Sequence, residues 1–321
     1  MTAGRGLAGG AALALAALLA GCGFGAGAST KGTAILTVTR DYGTREMVRA
    51  TDTDPPESDT VIRLLDRSAE ITTRYGGGFV QSIGGLAGGV GGGRSSDWFF
   101  YVNGVESSVG AGDVRVHAGD RIWWDYRDWT DAMSVPAVVG SWPQPFLHAA
   151  SSAGGEAVRV ECLGAATACK AATGALRAAG VRPAVDRAGA ASSATPAAGV
   201  RVLVGPWARI RGDHAVDGLR GGPAASGVFA SFEGPVRGAY HLIALDPAGK
   251  AARDLGPRAG LVAVVRQGDG PVTWIITGSG EPAVRSAAGL LGERSLRNRY
   301  AVGAPRDGGA VALPLQTAGA R

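Results

Sequence analysis

Asp97-Trp-Phe-Phe-Tyr-Val-Asn-Gly104 and Gly119-Asp-Arg-Ile-Trp-Trp-Asp-Tyr126 are the two stretches on which the fold turns. Each reads as a β-strand, and alternate residues of a strand point to opposite faces. Trp98, Phe100 and Val102 therefore share one face, and Phe99, Tyr101 and Asn103 the other. In the second stretch Ile122, Trp124 and Tyr126 oppose Trp123, Asp125 and Arg127. A sheet with one face in water needs only one apolar face. Here both faces carry aromatics, so the second must be covered by another layer, another domain or a ligand. Five of the seven tryptophans of the chain fall between Trp98 and Trp142, which makes this the richest aromatic region of the sequence.

At 321 residues the chain is long enough for about two domains. A hydrophobic fraction of 45% is compatible with folded cores. The formal charge is +5, with a pI of about 9.4. Lysine occurs only at Lys31, Lys170 and Lys250, and the arginines are scattered. A compositional bias explains this better than a nucleic-acid footprint, which needs clustered basic residues.

The N-terminus is more specific. Arg5 precedes an apolar stretch from Leu7 to Ala20, too short to span a membrane and of the length of a secretory signal core. It ends in Leu19-Ala20-Gly21-Cys22, the pattern of a bacterial lipobox. The expectation is a signal peptide over residues 1–21, with Cys22 taking a diacylglycerol and becoming the mature N-terminus. The alternative is an ordinary signal peptide with a chance cysteine. Residues 22–32 then form a flexible tether, and the folded chain stands on the outer face of the cytoplasmic membrane. The glycine pattern Gly4, Gly6, Gly9 is not a dinucleotide fingerprint, because no strand precedes it. Export leaves Cys162 and Cys169 outside the cytoplasm, where a disulfide closing their short loop is expected. Their Cys-x6-Cys spacing differs from that of a redox-active Cys-x-x-Cys pair.

Along the chain, Thr33 to Arg40 is β-branched and reads as a strand, Asp41-Tyr-Gly43 as a turn, and Arg45 to Ala50 as a returning strand. Asp59 or Ser58 is placed to cap a helix with the apolar stripe Val61, Leu64, Leu65 and Ala69. Short strands follow at Ile71 to Tyr75, Phe79 to Ile83 and Val114 to His117, beside the aromatic pair. Trp129 to Phe146 reads as an extended exit. Beyond a small-residue linker the pattern changes to a mixed α/β order. It has strands at Ala157 to Cys162, Val200 to Val204, Val228 to Phe232, His241 to Leu245, Leu261 to Val265 and Val272 to Thr277, the last two joined across Gln267-Gly-Asp-Gly270. Helices are expected at Thr167 to Ala179, Asp213 to Leu219 and Glu281 to Leu291, and a loop from Ala184 to Gly199. The fold class is α+β: a β-grasp-like domain over residues 33–147, then a mixed α/β domain over 156–321.

Catalytic signals are poor. His117, His148, His214 and His241 are far apart and share no metal-ligand spacing, and the chain has no nucleophile elbow, zincin motif or P-loop. The chain is therefore expected not to be an enzyme. Thr51 to Asp59 carries alternating acids but lacks the glycine and final glutamate of a calcium loop, so it reads as a solvated turn. Asp125, Asp128 and Asp131 read as exposed charges blunting an edge strand. Gly76 to Gly78, beside Tyr75 and Phe79, gives either a close backbone approach for a planar ligand or a turn needing positive φ. Gly84 to Gly93 reads as a mobile lid or a hairpin tip.

Tyr75-Gly-Gly-Gly-Phe-Val-Gln-Ser-Ile-Gly-Gly-Leu86, followed by Trp98-Phe-Phe-Tyr-Val-Asn-Gly104 and Gly119-Asp-Arg-Ile-Trp-Trp-Asp-Tyr126, resembles the C-terminal domain of the transcobalamin and intrinsic-factor family. Bacterial surface proteins carry a related domain of unknown function. The resemblance runs from about Thr33 to Arg127. It implies a β-grasp-like fold and a corrinoid-binding surface, with Phe79, Gln81, Trp98 and Phe100 facing the ligand. In the eukaryotic carriers the vitamin is held between this domain and a helical barrel. Residues 151–321 here read as mixed α/β instead. The expected function is a membrane-anchored binding module for a flat, largely apolar ligand, with cobalamin as the ligand implied and no other cofactor. The alternative is a structural or interaction protein of the envelope, whose aromatic face docks its own C-terminal domain or a protein partner.

Overall fold

The computed structural model describes residues 31–153, 157–187 and 199–316. The expected signal peptide, Cys22 and most of the tether lie outside the described residues. The chain is mixed α/β and rich in strands, arranged in several sheets.

The N-terminal part opens with the hairpin β1 (Thr33–Arg40) and β2 (Arg45–Thr53). Its turn holds Asp41 at φ 59° and Tyr42 at φ 57°. Helix α1 (Val61–Ser68) follows and buries Val61, Leu64 and Leu65, the stripe read from the sequence. Next come β3 (Ile71–Arg74), β4 (Phe79–Ile83), β5 (Leu86–Ala87), β6 (Gly89–Gly91), β7 (Arg94–Val102), β8 (Val105–Glu106) and β9 (Arg121–Asp128). The main sheet has the order β2-β1-β9-β7-β6, with β8 paired to β7, while β3, β4 and β5 form a small sheet of their own. Strands β1 and β9 are parallel and central; β9 and β7, the two aromatic strands, are antiparallel neighbours.

That position corrects the reading of the acidic series. β9 lies between β1 and β7, so Asp125 is wholly buried and Asp128 pairs with Arg94, which also reaches Asp131. The strand expected at Val114 to His117 does not form. Arg115 makes only an isolated bridge to Thr60, and the Val114 carbonyl accepts the Val61 amide at the start of α1. Neither Asp59 nor Ser58 caps that helix. Thr60 holds the N-cap position, and buried Asp59 receives both terminal nitrogens of Arg67. Arg67 also bonds Asp52, and Asp54 accepts the Gly32 amide, so these acids of the loop serve local structure.

Residues 129–138 leave the sheet extended, as expected, but the rest of the exit segment coils: a 3₁₀ turn at Val139–Ser141 runs through a further turn at 142–145 into the helix that starts at Phe146. The C-terminal part then runs α2 (Phe146–Ala153), β10 (Val158–Cys162), α3 (Ala166–Ala178), β11 (Ala184–Arg187), β12 (Val200–Pro206), α4 (Trp207–Ile210), a 3₁₀ segment (His214–Gly221) and α5 (Pro223–Ser226). It continues with β13 (Ala230–Val236), β14 (Ala239–Leu245), β15 (Ala251–Gly256), β16 (Gly260–Val265), β17 (Val272–Gly278), α6 (Glu281–Ala288), α7 (Glu293–Leu296), β18 (Ala301–Ala304) and β19 (Val311–Leu313). Its central sheet has the order β11-β10-β12-β17-β16-β18-β19; the first four strands are parallel and the rest antiparallel. Every residue of β16 and β17 is buried, which explains their unbroken apolar runs.

One face of this sheet packs against α3 and α6. The other meets the small sheet β13-β14-β15 and the aromatic face of the N-terminal part. The exit segment reaches both cores, with Val135 and Val138 on one side and Val139, Trp142 and Phe146 on the other. Two expectations are corrected here, the loop from Ala184 to Gly199 and the end of α6. Ala184 to Arg187 is not loop but the edge strand β11, paired to β10, while residues 188–198 lie outside the described residues. The helix expected at Asp213 to Leu219 forms as a 3₁₀ helix over His214–Gly221, with Asp213 at its N-cap. Helix α6 stops at Ala288, with Gly289 at its C-cap. Strands β15, β18 and β19 were not legible in the sequence pattern.

Candidate functional site

The two aromatic strands present their faces to different partners. Trp98, Phe100, Ile122 and Trp124 pack beneath α1 and β4, with Leu36, Leu65, Val80 and Ile83. Phe100 stacks on Trp124 at 4.7 Å between ring centroids, and the Trp98 indole donates to the Leu86 carbonyl at 2.8 Å. On the second face, Tyr101 and Trp123 join Tyr42 around Tyr300 of the C-terminal part. Ring centroids of Tyr42, Trp123 and Tyr101 lie 5.2, 5.3 and 5.9 Å from that of Tyr300. Tyr42 also meets Phe229 edge-on at 5.2 Å. The second aromatic face is therefore covered by the chain itself.

Polar groups reinforce that contact. Asp125 accepts hydrogen bonds from the Thr39 hydroxyl at 2.5 Å, the Gly43 amide at 3.0 Å and the Tyr300 hydroxyl at 2.8 Å. Burial pushes its carboxyl up to about 6, against the restraint of those three donors and the Arg127 charge. Burial likewise raises the Tyr42, Tyr101 and Tyr300 phenols, so all three stay neutral donors. The wholly buried Arg127 side chain donates to the carbonyls of Ala132 and Met133 and lies 3.7 Å from the Phe99 ring centroid. At the rim Arg121 forms a two-pronged pair with Glu293, and Asn298 donates to Glu46.

The residues expected to face a ligand fall into two groups. Trp98 and Phe100 are 7% and 9% exposed and belong to the core under α1. Phe79 and Gln81 share the outward face of β4, whose inward residues Val80 and Ser82 are buried. Phe79 is 44% exposed and Tyr75 is 85% exposed, with their ring centroids 6.2 Å apart. These two are the only exposed Phe, Tyr or Trp side chains among the described residues. They sit on the glycine turn, where Tyr75, Gly76 and Gly77 all have positive φ. The glycine stretch from Gly84 to Gly93 contains β5 and β6 and ends in a hairpin turn at Gly92 and Gly93.

Cys162 and Cys169 form the expected disulfide, with Cα atoms 5.7 Å apart. His117, His214 and His241 pair with Asp120, Asp217 and Asp254 respectively. Among the described residues no group of three or more His, Cys, Asp or Glu side chains is placed to hold a metal ion. No described helix is long and apolar enough to cross a membrane. What the residue pattern could not reveal was the cluster of Tyr42, Asp125 and Tyr300, because its members are brought together only by the tertiary fold.

Comparison with known families places one match on this chain. Residues 58–128 match the family described as Domain of unknown function (DUF4430), in accord with the related bacterial domain expected from the motifs. The match begins just before α1 and ends at β9, so it covers both aromatic strands and the Tyr75–Phe79 turn. Among curated proteins, no match to the chain is found.

Proposed function

We propose that the protein is a non-catalytic, lipid-anchored binding protein, held through Cys22 on the outer face of the cytoplasmic membrane, that contacts its ligand with Tyr75 and Phe79. The observation that carries this reading is the contrast in exposure: these two rings face solvent, whereas the other described aromatics are buried or half-buried. Rigid rings on a glycine turn offer large contact area at little entropic cost, which suits a flat, largely apolar ligand. The resemblance to the transcobalamin family names a corrinoid for that role. A sheet of order β2-β1-β9-β7, with parallel central strands and α1 across one face, supports reading the N-terminal part as β-grasp-like. In this reading residues 33–147 and 156–321 are two domains, and the second aromatic face joins them rather than receiving the ligand. Gln81 borders the site, and Trp98 and Phe100 support it from beneath.

The test is a titration of the full-length protein in detergent micelles with cyanocobalamin, followed by tryptophan fluorescence. Binding is expected to quench the signal, and Tyr75→Ala/Phe79→Ala to weaken it about ten-fold or more. No quenching beyond the inner-filter effect at high micromolar ligand removes the corrinoid. Unchanged affinity in the double variant removes the Tyr75–Phe79 contact.

A further inference from the structure

We propose that the C-terminal part carries a separate binding site, for a small organic anion with an apolar body, in the cavity beside the Cys162–Cys169 disulfide. The cavity holds about 950 Å³, a size suited to a metabolite-sized ligand. Its place follows from the topology. β10 leads through α3 to β11 on one side, whereas β12 pairs on the other, so the strand order reverses at β10. In open α/β sheets ligands bind outside the carboxyl ends of the strands at such a reversal; this cavity reaches the carboxyl end of β10 beside it and runs from there along α3 on the β11 side. Here the carboxyl end of β10 carries Cys162 and leads into Gly164 and the start of α3, and Glu281 follows the end of β17; all of these line the cavity.

The chemistry of the walls selects the ligand. The disulfide, the small residues of the β10–α3 turn and Val185 of β11 offer apolar surface. A Cβ placed at Gly174 would meet nothing within 4 Å, so the wall is open there. Lys170 and Arg177 line the cavity from exposed positions on α3, two turns apart, about 10 Å along the axis. Neither forms an ion pair among the described residues. Arg209 does not line the cavity but lies close to it: a Cβ built on Gly164 would come within 3.2 Å of its guanidinium carbon. Against these stands Glu281, the one carboxylate lining the cavity among the described residues, which accepts the Thr167 amide at 3.3 Å. The excess of positive charge beside an apolar wall fits a carboxylate or phosphate carried on an aromatic or aliphatic body. This site is distinct from the Tyr75–Phe79 turn and stands whether or not that turn binds a corrinoid.

The probe is 8-anilinonaphthalene-1-sulfonate, an aromatic anion whose fluorescence rises on leaving water, titrated into the full-length protein. Saturable binding is expected, weakened about ten-fold or more by Lys170→Glu/Arg177→Glu, whose exposed positions spare the core. Gly174→Phe, which fills the open wall without changing charge, is expected to weaken it as well. Tyr75→Ala/Phe79→Ala is expected to leave it unchanged. Displacement by adenosine monophosphate assigns a phosphate, and displacement by 1-naphthoate a carboxylate. The proposal is overturned if binding is not saturable, if charge reversal leaves the affinity within about two-fold, if the Tyr75/Phe79 variant abolishes binding, or if neither competitor displaces the probe.

Discussion

Asp125 shows how much a single side chain depends on what lies across from it. In the sequence it is one acid beside two tryptophans, and its spacing to Asp128 and Asp131 points to an exposed edge. In the structure it is buried and receives Thr39 and Gly43 from the β1–β2 hairpin and Tyr300 from the C-terminal part. Its carboxyl, pushed up to about 6, holds a proton more tightly when folded than in the unfolded chain, where aspartate ionises near pH ~3.9. The stability due to the protonated form is therefore complete below about pH 4 and is lost as the pH rises through the folded value. Asp125→Asn keeps the shape and most of the bonds but cannot ionise. Its melting temperature should gain on that of the wild type as the pH is raised from about 4 to 6. A Tm difference that stays constant across that window would refute the assignment.

At the scale of elements, much was legible. The β1–β2 turn, the apolar stripe of α1, the aromatic strands β7 and β9, the buried runs of β16 and β17 and the helix α3 all carry their periodicity on the surface of the sequence. Val114 to His117 has a strand-like pattern but no strand beside it, and its backbone serves α1 instead. β15 is not legible for the opposite reason: Ala251–Gly256 has no apolar alternation and is held by its ladder to β14. The disulfide ties the end of β10 to the first turn of α3. Closing so short a loop contributes about 2 kcal/mol by restricting the unfolded chain. Cys162→Ser/Cys169→Ser should therefore lower the urea midpoint by the equivalent amount. An unaltered midpoint would show that the bridge adds no stability.

For the molecule as a whole, the decisive contact is the one between the second aromatic face and the C-terminal part. A fragment of residues 31–147 would leave Tyr42, Tyr101 and Trp123 uncovered, an apolar patch of the kind that drives association. The fragment is expected to aggregate in sedimentation experiments and to become monodisperse when the C-terminal part is supplied. A soluble, monomeric fragment with native-like near-ultraviolet circular dichroism would show that the face needs no cover. The sequence by itself determined that both faces of the aromatic strands carry aromatic rings and that Cys162 and Cys169 could pair, because strand alternation and short loop closure are local properties. It also placed Phe79 beside a glycine turn. Only the tertiary structure decided which ring faces water, that Tyr300 rather than a ligand covers Trp123 and Tyr101, and that Asp125 is buried. Those outcomes depend on residues far apart in the chain, and no periodicity within either stretch encodes which surface will come to lie against it.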